Sequence, residues 1–491
     1  MSSISPQDAL QQAINLQKAG KFADAETICR EILARQPNNI GALNLLGTLL
    51  RQSRQFDGAI AALRKSIELD PNQAEVHADL GVCLIQSHDP AAAVEACRHA
   101  IAINPNLAAA HNNLGGCLRF LGHFEEAAAA CRRALEIRPD YASALTNLGA
   151  ALAELGRNAE AVQLHLRSIE LEPNLRESHW NLAMACLRLG DLKRGFQEYE
   201  WRFNGPDGVV VTNYARPRWD GGDLTGKTIL LHGEQGMGDV LQFIRYVPLV
   251  AAKHGKIIVV CHPELCSLLG KMQFVSRAIP FEAPPPPFDV YCPTMSLPFV
   301  FGTTQVTIPA YTPYLHPPAD LVKSWDRRLS PRTAAMRVGL VWAGRSEYKD
   351  DPVRSIRLEH LAPLAAINGI EFHSLQKGPA AREALNPPPA MRLIDHSDQL
   401  TDFAQTAALI ANLDLVISVD TAPAHLAGAM NKPVWLLLPM PADWRWMLQR
   451  SDNPWYPMMT LFRQRWPGHW TDVVGRVARA LATGQRRAPT V

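Results

Sequence analysis

Through residues 6–175 the apolar positions follow a helical spacing that is interrupted at a fixed interval. Pro37, Pro71, Pro105, Pro139 and Pro173 are each 34 residues apart. Gly47, Gly81, Gly115 and Gly149 keep the same interval, each after a leucine (Leu46, Leu80, Leu114, Leu148), and Leu182-Ala183 continues the series. Ala25, Ala59, Ala93, Ala127 and Ala161 form a third series, with Gly195 at its sixth place. Such a period predicts stacked helical hairpins. Small residues sit where the two helices of a hairpin touch. Proline ends the second helix, because it has no amide donor and disfavours helix in the residue before it. Each hairpin leaves an apolar face that the next one covers.

These residues are those of the tetratricopeptide repeat (TPR). Five clear 34-residue repeats and a degenerate sixth predict an N-terminal α-solenoid over residues 1–209, with Trp180, Phe196, Tyr199 and Trp201 as a cap. Asp79, Asn113, Asn147 and Asn181 share one repeat position. The asparagines resemble the ladder in the superhelix of the O-linked N-acetylglucosamine transferases, and the resemblance implies a groove that grips a peptide backbone. An amide side chain offers both a donor and an acceptor, so it binds a peptide bond without reading sequence. The same residues also suit a wet helix face, and Leu45 breaks the series.

After about residue 205 the period is lost. Residues 210–225 read as a linker rich in Gly, Pro and Asp. Strands and helices then alternate. Thr228–His232, Lys256–Cys261 and Asp289–Cys292 are predicted strands of one lobe, 226–330, with a helix over 239–253. A second lobe, 331–491, has strands at Arg337–Trp342, Glu371–Leu375, Met391–Ile394, Leu413–Val419 and Pro433–Leu438. Its helices fall near 358–367, 402–411, 421–430 and 470–483. The fold expected is thus α + α/β: a solenoid, then two Rossmann-like lobes in the arrangement of GT-B glycosyltransferases. Open α/β sheets bind ligands at the carboxyl ends of their strands.

Two strand-to-helix turns carry the chemistry. In the first, His232 to Leu241, Gly236 and Gly238 make a tight turn and Asp239 opens a helix. In the second, Asp420-Thr421-Ala422-Pro423-Ala424-His425 also runs from strand into helix. Free amides at Thr421 and Ala422 suit a diphosphate, and Pro423 fits a first helical turn. Spacing alone also fits a bland reading, with both aspartates as helix caps and His425 as a packed core imidazole.

Together the turns resemble the lipopolysaccharide heptosyltransferase family. Its N-lobe motif, Gly-Asp-Val-Leu-His, corresponds to Gly238-Asp239-Val240-Leu241-Gln242. Its C-lobe motif, Asp-Thr-Gly-x-x-His, corresponds to Asp420-Thr421-Ala422-Pro423-Ala424-His425. The resemblance spans roughly 226–485. It implies that Asp239 is the general base toward an acceptor hydroxyl, on the acceptor side, while Asp420, Thr421, Ala422 and His425 hold the nucleotide sugar. Gln242 and Ala422 depart from the pattern, so the sugar is not assigned as heptose. A basic residue in the loop after strand 337–342 is implied on the donor phosphates, with Arg354 first and Arg345 and Lys349 behind it. Gln376 adds a donor to the nucleotide. Asp443-Trp444-Arg445-Trp446 offers an aromatic-and-arginine wall at the cleft or, equally, packing between the lobes.

Composition changes this picture little. A net charge of +2 gives no footprint for nucleic acid. No apolar run reaches membrane-spanning length. The N-terminal stretch lacks signal-peptide features, and nine scattered cysteines suit a reducing cytoplasm. The α/β part has no Asp-x-Asp, so no metal or other cofactor is expected. The leading expectation is an inverting, metal-independent glycosyltransferase whose repeats recruit a protein or peptide acceptor. The alternatives are a non-catalytic scaffold with a degenerate transferase domain, favoured by Gln242 and Ala422, and a transferase acting on a glycan or lipid precursor.

Overall fold

The computed structural model describes residues 5–204, 214–332, 334–345 and 351–484. The chain divides into two compact units, Met1–Ala185 and Cys186–Val491.

The first unit is a run of antiparallel helical hairpins: α1 (Pro6–Lys18), α2 (Phe22–Arg35), α3 (Ile40–Gln52), α4 (Phe56–Leu69), α5 (Ala74–Gln86), α6 (Pro90–Ile103), α7 (Ala108–Phe120), α8 (Phe124–Ile137), α9 (Ala142–Glu154) and α10 (Asn158–Leu171). The division between the units falls inside α11 (Arg176–Leu189). The sixth helical pair is therefore split: most of α11 counts with the first unit and α12 (Leu192–Tyr199) with the second, whereas the periodicity alone extends the solenoid to 209.

The glycines do what their spacing predicts. A Cβ on Gly47 would lie 2.5 Å from Leu63, on Gly81 2.5 Å from Cys97, and on Gly149 2.6 Å from the His165 ring. On Gly115 it would meet Cys131 and lie 3.2 Å from the Ala127 carbonyl oxygen. Cys97 and Cys131 are therefore the small residues opposite two of these glycines. A further device is not obvious in the sequence. His77, His111 and His179 each place Nε2 2.9–3.0 Å from the carbonyl of Pro71, Pro105 and Pro173. A side chain of the next hairpin thus reaches back to the carbonyl of the loop proline that separates it from the hairpin before.

The second unit holds two wholly parallel sheets. The first has four strands, β1 (Thr228–His232), β2 (Lys256–Cys261), β3 (Val275–Pro280) and β4 (Val290–Pro293), in the order β3-β2-β1-β4. The second has six, β5 (Met336–Val341), β6 (Ile370–Ser374), β7 (Leu393–Asp395), β8 (Leu415–Val419), β9 (Val434–Leu438) and β10 (Met459–Arg463), in the order β10-β9-β8-β5-β6-β7. Buried runs such as Ile229–Leu231 and Leu436–Leu438 fit sheets covered on both faces. β3 and β10 were not expected from the sequence; β3 has a single fully buried residue, Ile279, and lacks a long apolar run.

The helix expected over 239–253 is broken. α13 (Met237–Phe243) passes through a 3₁₀ turn, Ile244–Tyr246, into α14 (Val247–Ala251), where Pro248 removes an amide donor. The remaining helices are α15 (Pro263–Leu269), α16 (Leu297–Val300), α17 (Ala319–Leu329), α18 (Asp351–Arg354), α19 (Phe403–Ala411), α20 (Ala422–Ala429) and α21 (Trp470–Ala482). The helix expected near 358–367 is 3₁₀, Leu358–Ala366, with Pro363 inside it. The described end of the linker is part of the lobe. Arg218 bridges Tyr291 of β4, the Trp219 amide bonds the Tyr291 carbonyl, and Trp219 and Leu224 are buried. Among the described residues no helix is long and apolar enough to cross a membrane.

Candidate functional site

In both sheets the strand order reverses beside the predicted turns. β1 lies between β2 and β4, and β5 between β8 and β6. Such switch points open a crevice at the carboxyl ends of the strands. The turn after β1 carries Gly236, Gly238 and Asp239. The loops after β5 and β8 carry Arg354 and Asp420 to His425.

The two turns meet directly. Gly238 packs on the start of α20: a Cβ there would lie 2.9 Å from the His425 ring and 3.7 Å from Ala422 Cα. This close approach explains the glycine. Asp239 Oδ2 accepts the Gly236 amide at 2.8 Å, as a helix cap does. Its Oδ1 is ion-paired with Arg445, from the 3₁₀ turn Trp444–Trp446. Asp239 therefore does have the capping role that spacing suggested, and an arginine partner that spacing did not reveal.

On the other side, Asp420 Oδ2 accepts the Trp446 indole N–H at 2.7 Å, and its Oδ1 lies 3.7 Å from His425 Nε2. Burial works to raise the Asp420 pKa. His425, the indole bond and the charge of Arg445 more than offset it and hold the carboxyl below its ordinary value. His425 is buried and oriented by Tyr456, whose hydroxyl is 2.9 Å from Nδ1. Thr421, between β8 and α20, adopts an extended conformation, its hydroxyl 2.9 Å from Ser418 Oγ. Ala422 opens α20; Pro423 has no amide hydrogen and the Ala424 amide bonds the Thr421 carbonyl at 3.0 Å, which leaves the Ala422 amide without an acceptor in the helix.

Arg445 is the hinge of this arrangement. It is buried, donates to Asp443 Oδ1 at 2.9 Å, and lies 4.3 Å over the Trp444 ring. Burial disfavours its cation, but Asp239 and Asp443 prevail and raise its pKa. A second arginine crosses in the opposite direction: Arg245 donates to the Trp455 carbonyl at 2.7 Å and to Tyr314 Oη at 3.1 Å. Gln242, at the place of the family histidine, is fully buried, and neither amide atom has a hydrogen-bond partner among the described residues.

The turn before α13 is braced from the sixth helical pair. Arg202, wholly buried, pairs with both oxygens of Glu234 at 2.9 and 3.0 Å, and Gln235 donates to Tyr199 Oη at 2.8 Å. Sequence reading missed Arg202, which falls in no motif, and Glu234, which lies inside the His232 to Leu241 turn but ahead of its Gly-Asp segment.

The remaining expected residues differ in outcome. Arg354 closes over Gly344, its Nε 3.2 Å from Asp351 Oδ1, so it stands at the carboxyl end of β5 as expected. Lys349 lies outside the described residues. Gln376 is not free to serve a nucleotide. Its Oε1 accepts from the Trp342 and Ala343 amides, and its Nε2 donates to the Ala343 and Lys377 carbonyls. With both donors and its acceptor engaged, it is a brace joining the ends of β5 and β6. In the repeats, Asn113 Nδ2 donates to the Ala78 carbonyl at 3.2 Å and Asn147 Nδ2 to Asn112 Oδ1 at 2.9 Å. These amides tie neighbouring repeats together. Asn181 is half-buried. Among the described residues no three His, Cys, Asp or Glu side chains are grouped to hold a metal ion.

Comparisons with known proteins agree with both halves. Residues 16–78, 50–114 and 106–172 match tetratricopeptide repeat families. Residues 400–437, which contain the turn Asp420 to His425, match glycosyltransferase family 9 (heptosyltransferase). Protein FlbA of Caulobacter vibrioides is 27% identical over 322 residues, covering 60% of this chain and 53% of FlbA. The chain thus spans about half the length of that relative. Among solved structures, MamA is 28% identical with a TM-score of 0.30, over 33% of this chain and 94% of MamA. A thermophilic TPR protein of Thermus thermophilus, TTC0263, is 20% identical with a TM-score of 0.34, over 37% of this chain and all of its own, 100%. The chain carries tetratricopeptide repeats followed by a parallel-sheet α/β unit with a glycosyltransferase family 9 segment.

Proposed function

We propose that the α/β unit is a GT-B-type glycosyltransferase that moves a sugar from a nucleotide sugar to an acceptor hydroxyl, with inversion and without a metal. The observation that carries this reading is the direct meeting of the two turns, Gly238 against His425, which brings Asp239 beside the start of α20. In this reading Asp239 takes the proton of the acceptor hydroxyl. The oxygen attacks the anomeric carbon, and the bond to the nucleoside diphosphate breaks. The Thr421 and Ala422 amides at the start of α20 receive the developing charge. Asp420 and Tyr456 orient His425, and Arg354 adds a cation from the β5 side. The repeats supply a protein or peptide acceptor; Asn113 and Asn147 contribute what their inter-repeat bonds leave available, and Asn181 continues their repeat position. A cytoplasmic location belongs to the same reading, supported by nine free cysteines.

A non-catalytic role has one specific observation behind it: both oxygens of Asp239 already have protein partners. One experiment separates the two. The full chain is incubated with a panel of nucleotide sugars and the released nucleoside diphosphate is measured. Release by the wild type that falls about 100-fold in Asp239→Ala supports the base. Equal release by both proteins removes Asp239 from the mechanism, and no release with any donor favours the scaffold.

A further inference from the structure

Asp239 poses a difficulty for the reading just given, on which the following inference rests. Both of its carboxylate oxygens are already engaged, one by the Gly236 amide and one by Arg445, so an acceptor hydroxyl meets no open oxygen there. The base must be released before it can act, and the structure shows what holds it.

Arg445 stands between the two turns. Its guanidinium pairs with Asp239 of one turn, and its charge also acts on Asp420 of the other. Its backbone is anchored by a bond from the Trp446 amide to the Asp443 carbonyl at 3.2 Å, and its plane is set by Trp444. Its Nε has no partner among the described residues, although the residue is only 8% exposed. A planar fork of this kind matches the oxygens of a diphosphate, which compete with a carboxylate for it.

We propose that Arg445 is a donor-binding residue that also controls the base: it exchanges Asp239 for the diphosphate when the nucleotide sugar binds. The exchange couples two events. Binding the donor moves the cation onto the leaving group, where it is needed, and frees Asp239 for the acceptor hydroxyl. Acceptor activation then follows donor loading, which disfavours reaction in a half-filled site.

The test is calorimetric titration of the full chain with UDP, GDP, ADP and CDP, each against its monophosphate. The proteins are wild type, Asp239→Asn, Arg445→Met and the double variant. Asp239→Asn removes the competitor with little change of shape, so a larger fraction of Arg445 is ready to bind. Diphosphate affinity should rise roughly ten-fold, with less change for the monophosphate. Arg445→Met should weaken diphosphate binding at least ten-fold, on the order of one bidentate charged contact. In the Arg445→Met background, Asp239→Asn should alter affinity less than about two-fold, because the gain acts through the arginine.

A gain that persists without Arg445 would mean simple relief of charge repulsion and would overturn the proposal. So would an Asp239→Asn protein that keeps the wild-type melting temperature and binds no tighter. If Arg445→Met fails to fold, Arg445→Lys keeps the charge and removes the fork, and the Asp239→Asn comparison still decides. A wild type that binds none of the four diphosphates brings down the transferase reading along with this one. A wild type that binds, without the Asp239→Asn gain, brings down this inference alone.

Discussion

The repeats and the α/β unit place their decisive contacts at opposite distances along the chain. In the repeats, Gly47 meets Leu63, Gly81 meets Cys97 and Gly149 meets His165, each on the partner helix of its own hairpin. In the α/β unit, Asp239 meets Arg445, 206 residues away, and Arg245 reaches Trp455, 210 residues away. Local contacts leave a period in the sequence, because each unit repeats the same solution. Distant ones leave no period, because each is made once. The repeats also bury few charges, whereas the α/β unit buries Arg202, Glu234, Arg245 and Arg445.

Acid should widen this difference most. His232, His373 and His396 of the α/β unit are buried, and burial pushes their pKa values down to about 4, about 3 and about 4, while the repeats have His165 alone at about 4. Each is neutral when folded and takes up a proton on unfolding near its ordinary value of 6.5. Their contribution is therefore intact above 6.5 and is lost as pH falls from there toward the folded value. The loss is about 1.4 kcal/mol per histidine per pH unit. All tryptophans but Trp180 lie at or beyond Trp201, so their fluorescence follows the α/β unit, while circular dichroism at the helical band is weighted to the repeats. Between pH 7 and 5 the urea midpoint from fluorescence should fall further than that from dichroism. Equal shifts would break the comparison.

Removing one buried cation comes next. Arg202→Met leaves Glu234, whose side chain is 1% exposed, without its ion partner. A loss of about 3–5 kcal/mol is expected in the fluorescence transition. Adding Glu234→Gln should recover part of it, and a cost below about 1 kcal/mol would show that the buried pair is not what braces the turn.

The smallest effect belongs to the repeats. Gly115→Val should cost about 1–3 kcal/mol, read by dichroism. The new Cβ would lie 3.2 Å from the Ala127 carbonyl, which cannot move without the helix. Gly149→Ala should cost less, since it faces only the His165 side chain.

The same contrast explains what the sequence made legible. The five clear repeats could be counted from the Pro, Gly and Ala series. The strands with continuous apolar runs, such as Thr228–His232 and Lys256–Cys261, coincide with those expected. β3 could not be found, because Ser276 and Arg277, both exposed, interrupt its apolar run. At the site, Asp239, Asp420 and His425 were visible because each opens or follows a strand-to-helix turn. Arg445 was visible only as part of a cationic and aromatic wall. Its pairing with Asp239 depends on how two sheets are set together, and no local spacing records that. Gln376 was misjudged for a related reason: a polar residue after a strand looks available until the backbone groups that engage it are seen.

One modest feature also bears on solubility. The segment after Tyr214 bonds Trp219 to Tyr291 and lays Arg218 beside β4, the outermost strand of its sheet. An uncovered parallel edge is a template on which another chain can add a strand. With this short strap in place, the β4 border is already paired, and self-association through that border would first have to peel Trp219 from its buried seat.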